Sequence, residues 1–196
     1  MEIAVKEQLI AQTTARYAPN IPTASIHKLA LLADQVYFPR NSTILELDEP
    51  QEQVYLIQDG LARSSAVDEQ GHLIVKNFML EGDFLIGESL FSATSTESFS
   101  AIEDLHCLRF AAAQMKPILM ADPALTQLYI AVLEDTLRYK MRREYGFQNL
   151  DAAARYQEFR ALFGKAEARI PQNQIASYIG ITKESLSRIR KNLASR

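Results

Sequence analysis

The chain has 196 residues, of which 47% are hydrophobic and 23% charged, and its formal net charge is −3. This length suits one large domain or two modest ones, and the composition is typical of a globular protein. A single cysteine, Cys107, excludes an internal disulfide and a cysteine-cluster metal site. We find no secretory signal and no apolar run of membrane-span length, so we expect a cytoplasmic protein without a membrane partner.

The charge is distributed unevenly along the chain. Residues 138–196 hold 13 Lys and Arg against 5 Asp and Glu, a balance of +8, whereas residues 1–137 hold 8 against 19, a balance of −11. An acidic first part joined to a basic last third suggests two modules with different partners. Basic residues that only cover solvated helix faces would give the same balance, so charge alone does not decide between the two.

In chain order, the first periodic element is a predicted helix over residues 23–35. After Pro39 the pattern changes to short segments with partial alternation and strand-favouring residues, separated by turns that contain Gly. The segments are TILELDE, QVYLIQDG, LARSSAVDEQG, HLIVKNFMLEGD and LHCLRF. Several short strands at this spacing predict a β-roll of the jelly-roll kind.

A long helix is predicted to begin near Asp122, with Pro123 in its first turn. Five of its residues, spaced alternately by four and three, have the seam spacing of a short coiled coil, and we predict that they contact a partner helix. They are Leu125, Tyr129, Val132, Thr136 and Tyr139. A second stripe, Leu133, Leu137 and Met141, is expected to pack back on the roll. The alternative is one wide surface that faces the core.

The most specific pattern is QIASYIGITKESLSRIR, residues 174–190, which follows a predicted helix over residues 151–163. Gly180 stands where the chain turns between two helices, Thr182 can cap the second helix, and the small Ala176 stands where the helices cross. The residues expected to face inward are Ile175, Ile179, Ile181, Leu186 and Ile189. The outward face is polar and largely cationic, as entry into the DNA major groove demands. The spacing therefore predicts a helix-turn-helix, with a purely structural helical pair as the alternative.

The order of acidic β-roll, long helix and terminal helix-turn-helix resembles the Crp/Fnr family of bacterial transcription regulators. Residues 54–91 resemble its cyclic-nucleotide-binding roll, and residues 170–193 resemble its DNA-binding hairpin in compact, Bacteroidetes-type members. The resemblance implies an α+β fold with a jelly-roll (double-stranded β-helix) sensor domain over residues 1–120, a dimerisation helix over 121–147 and an all-α helix-turn-helix domain over 148–196. It also implies a homodimer, a two-fold-related site on double-stranded DNA, and RNA polymerase as a further partner.

By position, Lys183, Glu184 and Arg188 fall where the family reads base edges, since Arg and Lys suit guanine and a carboxylate can accept from cytosine. Phosphate contacts are expected from side chains around the same helix. These candidates are Gln172, Thr182, Ser185, Arg190 and Lys191. The family's β-hairpin wing is not seen before Arg196, so we expect weaker affinity per half-site and more dependence on dimer pairing.

The sensor half departs from the family's pattern for cyclic nucleotides. That pattern opens with Gly-Glu, present here as Gly87 and Glu88, and later supplies an arginine that neutralises the cyclic phosphate. Between Lys76 and Arg109 the chain has no Lys or Arg. Desolvating an uncompensated phosphate is strongly unfavourable, so cAMP and cGMP are not expected as effectors, although backbone amides can partly substitute for a cation. The candidates for an effector pocket are Gly87, Glu88, Ser98 and Ser100.

Other chemistries have less support in the sequence. One cysteine excludes an iron–sulfur sensor, and Cys107 is expected to be a small buried hydrophobe. His27, His72 and His106 include no close pair, which argues against a cupin-type metalloenzyme and leaves a haem ligand as an open alternative. Without a nucleophile elbow, a phosphate-cradling loop or an HExxH motif, we expect no enzyme, no cofactor and no metal. The remaining alternative is a small-molecule sensor or scaffold that acts through protein partners.

Overall fold

The computed structural model describes residues 1–87 and 89–194. Its helices in this range are α1 (Ile3–Thr14), α2 (Thr23–Leu32), α3 (Ala112–Ala121), α4 (Pro123–Asn149), α5 (Ala152–Phe163), α6 (Gln172–Ile179) and α7 (Lys183–Ala194), with a 3₁₀ turn at Glu167–Arg169. Its strands are β1 (Asp34–Phe38), β2 (Thr43–Leu45), β3 (Gln53–Asp59), β4 (Ala62–Val67), β5 (Leu73–Met79), β6 (Phe84–Leu85), β7 (Ser98–Ala101) and β8 (Leu105–Ala111).

The strands form two four-stranded antiparallel sheets with the orders β1-β8-β3-β6 and β2-β7-β4-β5. Because strands that are distant in the chain become neighbours in each sheet, the connections cross between the two sheets, as in a jelly roll. Alternate residues point inward, so that Phe99 and Ala101 of β7 share one apolar cluster with Cys107 of β8. This arrangement confirms the predicted α+β fold with a jelly-roll sensor domain.

Helix α1 and strands β1, β6 and β7 lie outside the predicted pattern, and one predicted helix is shorter than expected. Helix α2 ends at Leu32 instead of residue 35, because Asp34–Phe38 pairs with β8 as strand β1. Helix α1 buries only Ile10, Thr13 and Thr14, so its sequence carries too weak an apolar stripe to predict it. Tertiary pairing and packing therefore decide this end of the chain more than local pattern does.

The start of the long helix α4 agrees with the prediction. Asp122 caps the helix, since its carboxylate accepts from the backbone N–H groups of Ala124 (3.1 Å) and Leu125 (3.5 Å). The same carboxylate binds the hydroxyl of Ser25 (3.0 Å) and the ammonium of Lys28 (2.6 Å). The cap thus ties α4 to α2 on the outside of the roll.

The faces of α4 are the reverse of those predicted. The stripe predicted for the partner helix, Leu125, Tyr129, Val132, Thr136 and Tyr139, lies against its own chain: Leu125 and Val132 are buried in the core, and the Tyr139 hydroxyl donates to the carbonyl oxygen of Lys76 (2.9 Å). In the second stripe Leu133 is half-buried, whereas 59% of Leu137 and 61% of Met141 are accessible. The predicted helical period of the apolar residues is confirmed. Because both stripes have helical spacing, the spacing alone does not indicate which one faces the roll.

The C-terminal helices pack on the outer face of the roll through a second apolar cluster. Phe78 of β5 is 1% exposed and lies 5.4–6.1 Å, between ring centroids, from Phe159, Phe163 and Tyr178. Leu61 and Ile102 of the roll belong to the same cluster. The last third of the chain therefore shares a continuous hydrophobic core with the sensor domain.

Candidate nucleic-acid interface and effector cavity

Helices α6 and α7 form the predicted helix-turn-helix. Gly180 ends α6 in the left-handed conformation (φ 72°, ψ 43°), which glycine adopts without a steric penalty. The Thr182 hydroxyl accepts from the backbone N–H of Ser185 (3.2 Å) and caps α7. Ile175 and Leu186 are fully buried, so the aliphatic faces of the two helices meet in the core. Asp151 likewise caps α5 by accepting from the backbone N–H of Ala154 (2.8 Å).

The three predicted base-reading residues lie on the exposed face of α7. Lys183, Glu184 and Arg188 are all exposed. The backbone N–H of Glu184 and the Thr182 hydroxyl hold the pKa of Glu184 below its usual range, with the charges of Lys183 and Arg188 adding to the effect. Glu184 is therefore an acceptor at neutral pH, next to two donors, on one face of the helix.

Arg188 is held in place by a short chain of hydroxyls. Its Nη2 donates to Ser185 Oγ (3.1 Å), and Thr182 Oγ1 donates to the same Ser185 oxygen (3.2 Å). The three residues stand at positions i, i+3 and i+6, which share a face of the helix. The guanidinium is thus oriented by α7 itself before anything binds.

The predicted phosphate contacts differ in accessibility. Gln172, Thr182 and Lys191 are exposed, whereas Ser185 is half-buried. Arg190 faces its own domain, because its guanidinium pairs with Glu167 (2.7 Å) and donates to the hydroxyl of Tyr156 (3.0 Å). Arg190 therefore joins α7 to α5 and to the 3₁₀ turn in this structure and is not presented outward.

A cavity of about 590 Å³ opens between the roll and α4. Gly87 lies in its wall, and a Cβ there would come within 2.4 Å of Gln51 Oε1, so a larger residue would displace the Gln51 amide. Ser98 and Ser100 lie on the face of β7 opposite Phe99, which lines the cavity; Ser98 Oγ accepts from the backbone N–H of Leu47 (3.0 Å). The prediction that Ser98 and Ser100 line an effector pocket is thus corrected, since both lie on the outer face of β7. Glu88 lies outside the described residues.

The charges in the cavity wall do not favour an anion. Lys140 of α4 provides a cation that the sequence pattern does not predict, but it is paired with Glu97 (2.9 Å). Arg16 is similarly paired with Asp83 (2.6 Å), and the described part of the wall carries five carboxylates against four cations. The buried hydroxyl of Ser64, which is 2% exposed, and the buried Nη1 of Arg143 have no hydrogen-bond partner, so two polar atoms of the described wall are unsatisfied.

The remaining reactive side chains give no second site. Cys107 is 1% exposed, and burial raises the pKa of its thiol to about 12, as expected for a small buried hydrophobe. Over the range that the structure covers, no group of His, Cys, Asp and Glu is arranged to hold a metal. In the same range, no helix has the length and hydropathy to cross a membrane.

Several residues that shape these sites carry no signal in the sequence. Glu97 and Lys140 are 43 positions apart and meet only because α4 crosses the mouth of the roll. Arg169 reaches Glu81 and Glu103 across 88 and 66 positions. Neither pair has a spacing that local periodicity could identify.

Comparison with known proteins agrees with this architecture. The cyclic nucleotide-binding domain family matches residues 35–122. The transcriptional regulatory protein btr of Bordetella pertussis is 23% identical over 182 residues, which cover 87% of this chain and 75% of that protein. The solved structure of FixK2 from Bradyrhizobium japonicum is 20% identical, with a TM-score of 0.77 over 83% of this chain and 85% of that one. The structure of the c-di-GMP responsive regulator CLP of Xanthomonas campestris is 15% identical, with a TM-score of 0.71 over 89% of this chain and 92% of that one.

These likenesses to solved structures cover 83% and 89% of this chain, and they establish the fold. The matched domain covers the strands of the roll and ends at Asp122, where α4 is capped. The chain therefore contains a cyclic nucleotide-binding domain, followed by a long helix and a C-terminal helix-turn-helix, and it shares this fold with FixK2 and CLP.

Proposed function

We propose that the chain is a homodimeric transcription regulator that binds a two-fold-related DNA site through α7 and acts in the cytoplasm. The observation that carries this proposal is the division of α7 into two faces. Leu186 anchors the helix in the core, whereas Lys183, Glu184 and Arg188 are exposed together on the other side. A helix with this division can enter the major groove and present donors and an acceptor to base edges.

The exposed stripe of α4 is the proposed dimer contact. Ile130, Leu137, Met141 and Tyr145 are 40–61% exposed, and each is four or seven positions from the next. A row of large apolar side chains on one face of a 27-residue helix is typical of a helix–helix seam. Two chains joined there would present two copies of α7, about 34 Å apart, to successive turns of one DNA face.

The effector, in this proposal, is not a typical cyclic nucleotide. A cyclic phosphate in the cavity would meet Glu97 at a wall where the cations Lys140 and Arg16 already have carboxylate partners. Lys76 and Arg143 line the same cavity without a carboxylate partner among the described residues, so binding of the phosphate is opposed by the excess of carboxylates in the wall and by desolvation of the anion. No cofactor is proposed, and RNA polymerase is the further protein partner that a regulator of this type would contact.

Fluorescence anisotropy with DNA selected from genomic fragments tests the proposal. We expect sequence-specific binding whose affinity falls steeply with salt, with a log–log slope of about −0.9 per phosphate contact. Lys183→Ala with Arg188→Ala should remove the sequence preference. The matched control is Lys165→Ala, which removes one exposed cation from the same region but outside α7.

Two results would contradict the proposal. Unchanged sequence preference in the double variant would show that α7 is not the reading helix. Absence of any salt-dependent DNA binding in the wild-type chain would favour the alternative, a sensor or scaffold that acts through protein partners.

A further inference from the structure

The C-terminal helices are joined to the long helix by a short connection. Helix α4 ends at Asn149, α5 begins at Ala152, and the two residues between them, Leu150 and Asp151, have extended backbones. Two extended residues allow rotation about several bonds, so the connection alone cannot fix the orientation of α7. The orientation therefore depends on side-chain contacts of the C-terminal helices, both with α4, as between Arg142 and Glu158, and with the roll.

One set of contacts lies along the edge of β5. Ser177 of α6 donates from its hydroxyl to the carbonyl oxygen of Leu73 (2.7 Å) and accepts from the backbone N–H of Val75 (3.0 Å). Close by, Phe78 is inserted among the aromatic rings of α5 and α6. These contacts attach the helical domain to one strand and leave α7 uncovered.

A second set of contacts depends on Arg169 alone. Its guanidinium donates to Glu103 (2.6 and 3.0 Å, from Nη2 and Nε to Oε2) and to Glu81 (2.6 Å, from Nη2). Glu81 lies in the turn after β5 and also accepts from the backbone N–H of Gly60 (3.3 Å); Glu103 lies in the turn before β8. One side chain of the helical domain thus joins three turns of the roll.

The geometry of Arg169 favours a fixed orientation over a loose ion pair. Contact with two carboxylates through several N–H groups is directional, because the guanidinium is planar and its donors are fixed relative to one another. Hydrogen bonds to Glu103 and Glu81 raise the pKa of Arg169, so the cation persists at every accessible pH. With β5 as the first attachment and Arg169 as the second, the domain cannot swivel about either one.

We propose that Arg169, Glu81 and Glu103 form a clamp that sets the angle of α7 relative to the roll and thereby the half-site spacing that the dimer accepts. Arg169 is a positioning residue in this scheme, since it lies outside the reading face. The consequence for DNA rests on the proposed function, whereas the clamp itself does not. The test therefore has one arm without DNA and one arm with DNA.

The first arm measures the distance between the roll and α7 by spin labels at Val67→Cys and Ser187→Cys in the full chain, mixed with excess unlabelled chain. Both positions are exposed, and the buried Cys107 thiol will not compete for the label. We expect one narrow distance distribution, and a broad one in Arg169→Ala. Arg160→Ala is the control, because Arg160 pairs with Glu167 inside the helical domain and does not reach the roll. An unchanged narrow distribution in Arg169→Ala overturns the clamp.

The second arm measures affinity for DNA sites whose half-sites are moved apart or together by one or two base pairs. The wild-type chain should prefer one spacing at least tenfold, and Arg169→Ala should flatten this preference while keeping the base preference within each half-site. Exchange of the charges, Arg169→Glu with Glu103→Arg, should restore part of the preference. A uniform loss of affinity at every spacing would overturn the positioning role, and an absence of DNA binding in the wild-type chain would contradict the proposed function instead.

Discussion

The ring of Phe147, near the end of α4, lies directly against Gly180 in the turn of the helix-turn-helix. A Cβ on residue 180 would come within 2.7 Å of Phe147 Cε1, which is closer than side-chain contacts allow. The same ring lies between the guanidinium groups of Arg143 (5.0 Å) and Arg155 (5.1 Å), measured to its centroid. Gly180 thus serves two purposes: it turns the chain, and it leaves room for the long helix to touch the turn.

Gly180→Ala should lower the free energy of unfolding by more than the cost of a left-handed residue, about 1–2 kcal/mol, because the methyl group also meets Phe147. The matched control is Gly71→Ala, which has a similar positive φ (85°) but open space around its Cβ. Urea unfolding of both variants separates strain from contact. Equal losses in the two variants would show that the Phe147 contact carries no energy.

Asp122→Ala should lower the free energy of unfolding by about 1–2 kcal/mol near neutral pH, because the variant loses the cap of α4. Asp122→Asn keeps a capping side chain and isolates the charge. The hydrogen bond from Lys28 lowers the pKa of Asp122, so its charge stabilises the fold above the unfolded-state pKa, near 3.8, and this contribution is lost as the pH falls through the lower folded-state value. The difference between wild type and Asn should therefore vanish in strong acid. A difference that grows with acidity would contradict this assignment.

Phe78→Ala should cost about 3–5 kcal/mol, since the ring is fully buried where the roll meets the C-terminal helices. Val67→Ala, at the exposed end of the neighbouring strand β4, should change the free energy of unfolding by less than about 0.5 kcal/mol. Thermal unfolding followed by calorimetry measures both. Two separate transitions in Phe78→Ala, against one in wild type, would indicate that this cluster couples the two halves. A variant as stable as wild type would contradict the burial described above.

Leu137→Glu with Met141→Glu should convert the proposed dimer to a monomer, because four carboxylates would then face one another across the proposed seam. Light scattering coupled to gel filtration gives the mass directly. Val67→Glu is the control, since Val67 is also an exposed apolar residue (63%) but lies on the roll. A dimer that survives the double change would place the contact elsewhere.

Addition of about 1 mM cAMP or cGMP should leave the melting temperature unchanged, because the described part of the cavity wall, Glu97 included, carries more carboxylates than cations. A site with a Kd of about 10 µM would raise stability by about 2.7 kcal/mol under these conditions, or about 5–10 °C for a chain of this size. Glu97→Arg places a cation in the wall, and a rise confined to that variant would support the electrostatic explanation. A rise in the wild-type chain would refute it.

The helix-turn-helix could be predicted from the sequence because its determinants are local. Gly180, Thr182 and the buried aliphatic residues act within a span of fifteen positions, and turn, cap and periodicity all indicate the same structure. The jelly roll was predictable as a class, since short strands and glycine turns recur along it. Its strand order depends on pairing between distant segments, which periodicity does not encode.

The orientation of α4 and the charges of the cavity wall could not be predicted from the sequence. Both stripes of α4 have helical spacing, and only the position of the roll decides that Val132 is buried and Leu137 is exposed. The cations of the cavity wall, such as Lys140 of α4, lie outside the segment between Lys76 and Arg109 where the family's pattern places an arginine. Both facts are properties of tertiary packing, in which residues far apart in the chain are brought together.

The contacts along β5 have a consequence for solubility. β5 is the last strand of its sheet, and its outer backbone groups are occupied by side chains of the helices: Ser177 binds at Leu73 and Val75, Arg143 donates to the carbonyl oxygen of Val75, and Tyr139 donates to that of Lys76. An uncovered edge strand readily adds a strand from another molecule. Detachment of the C-terminal helices would therefore expose the unpaired backbone groups of β5, and we expect aggregation to accompany it.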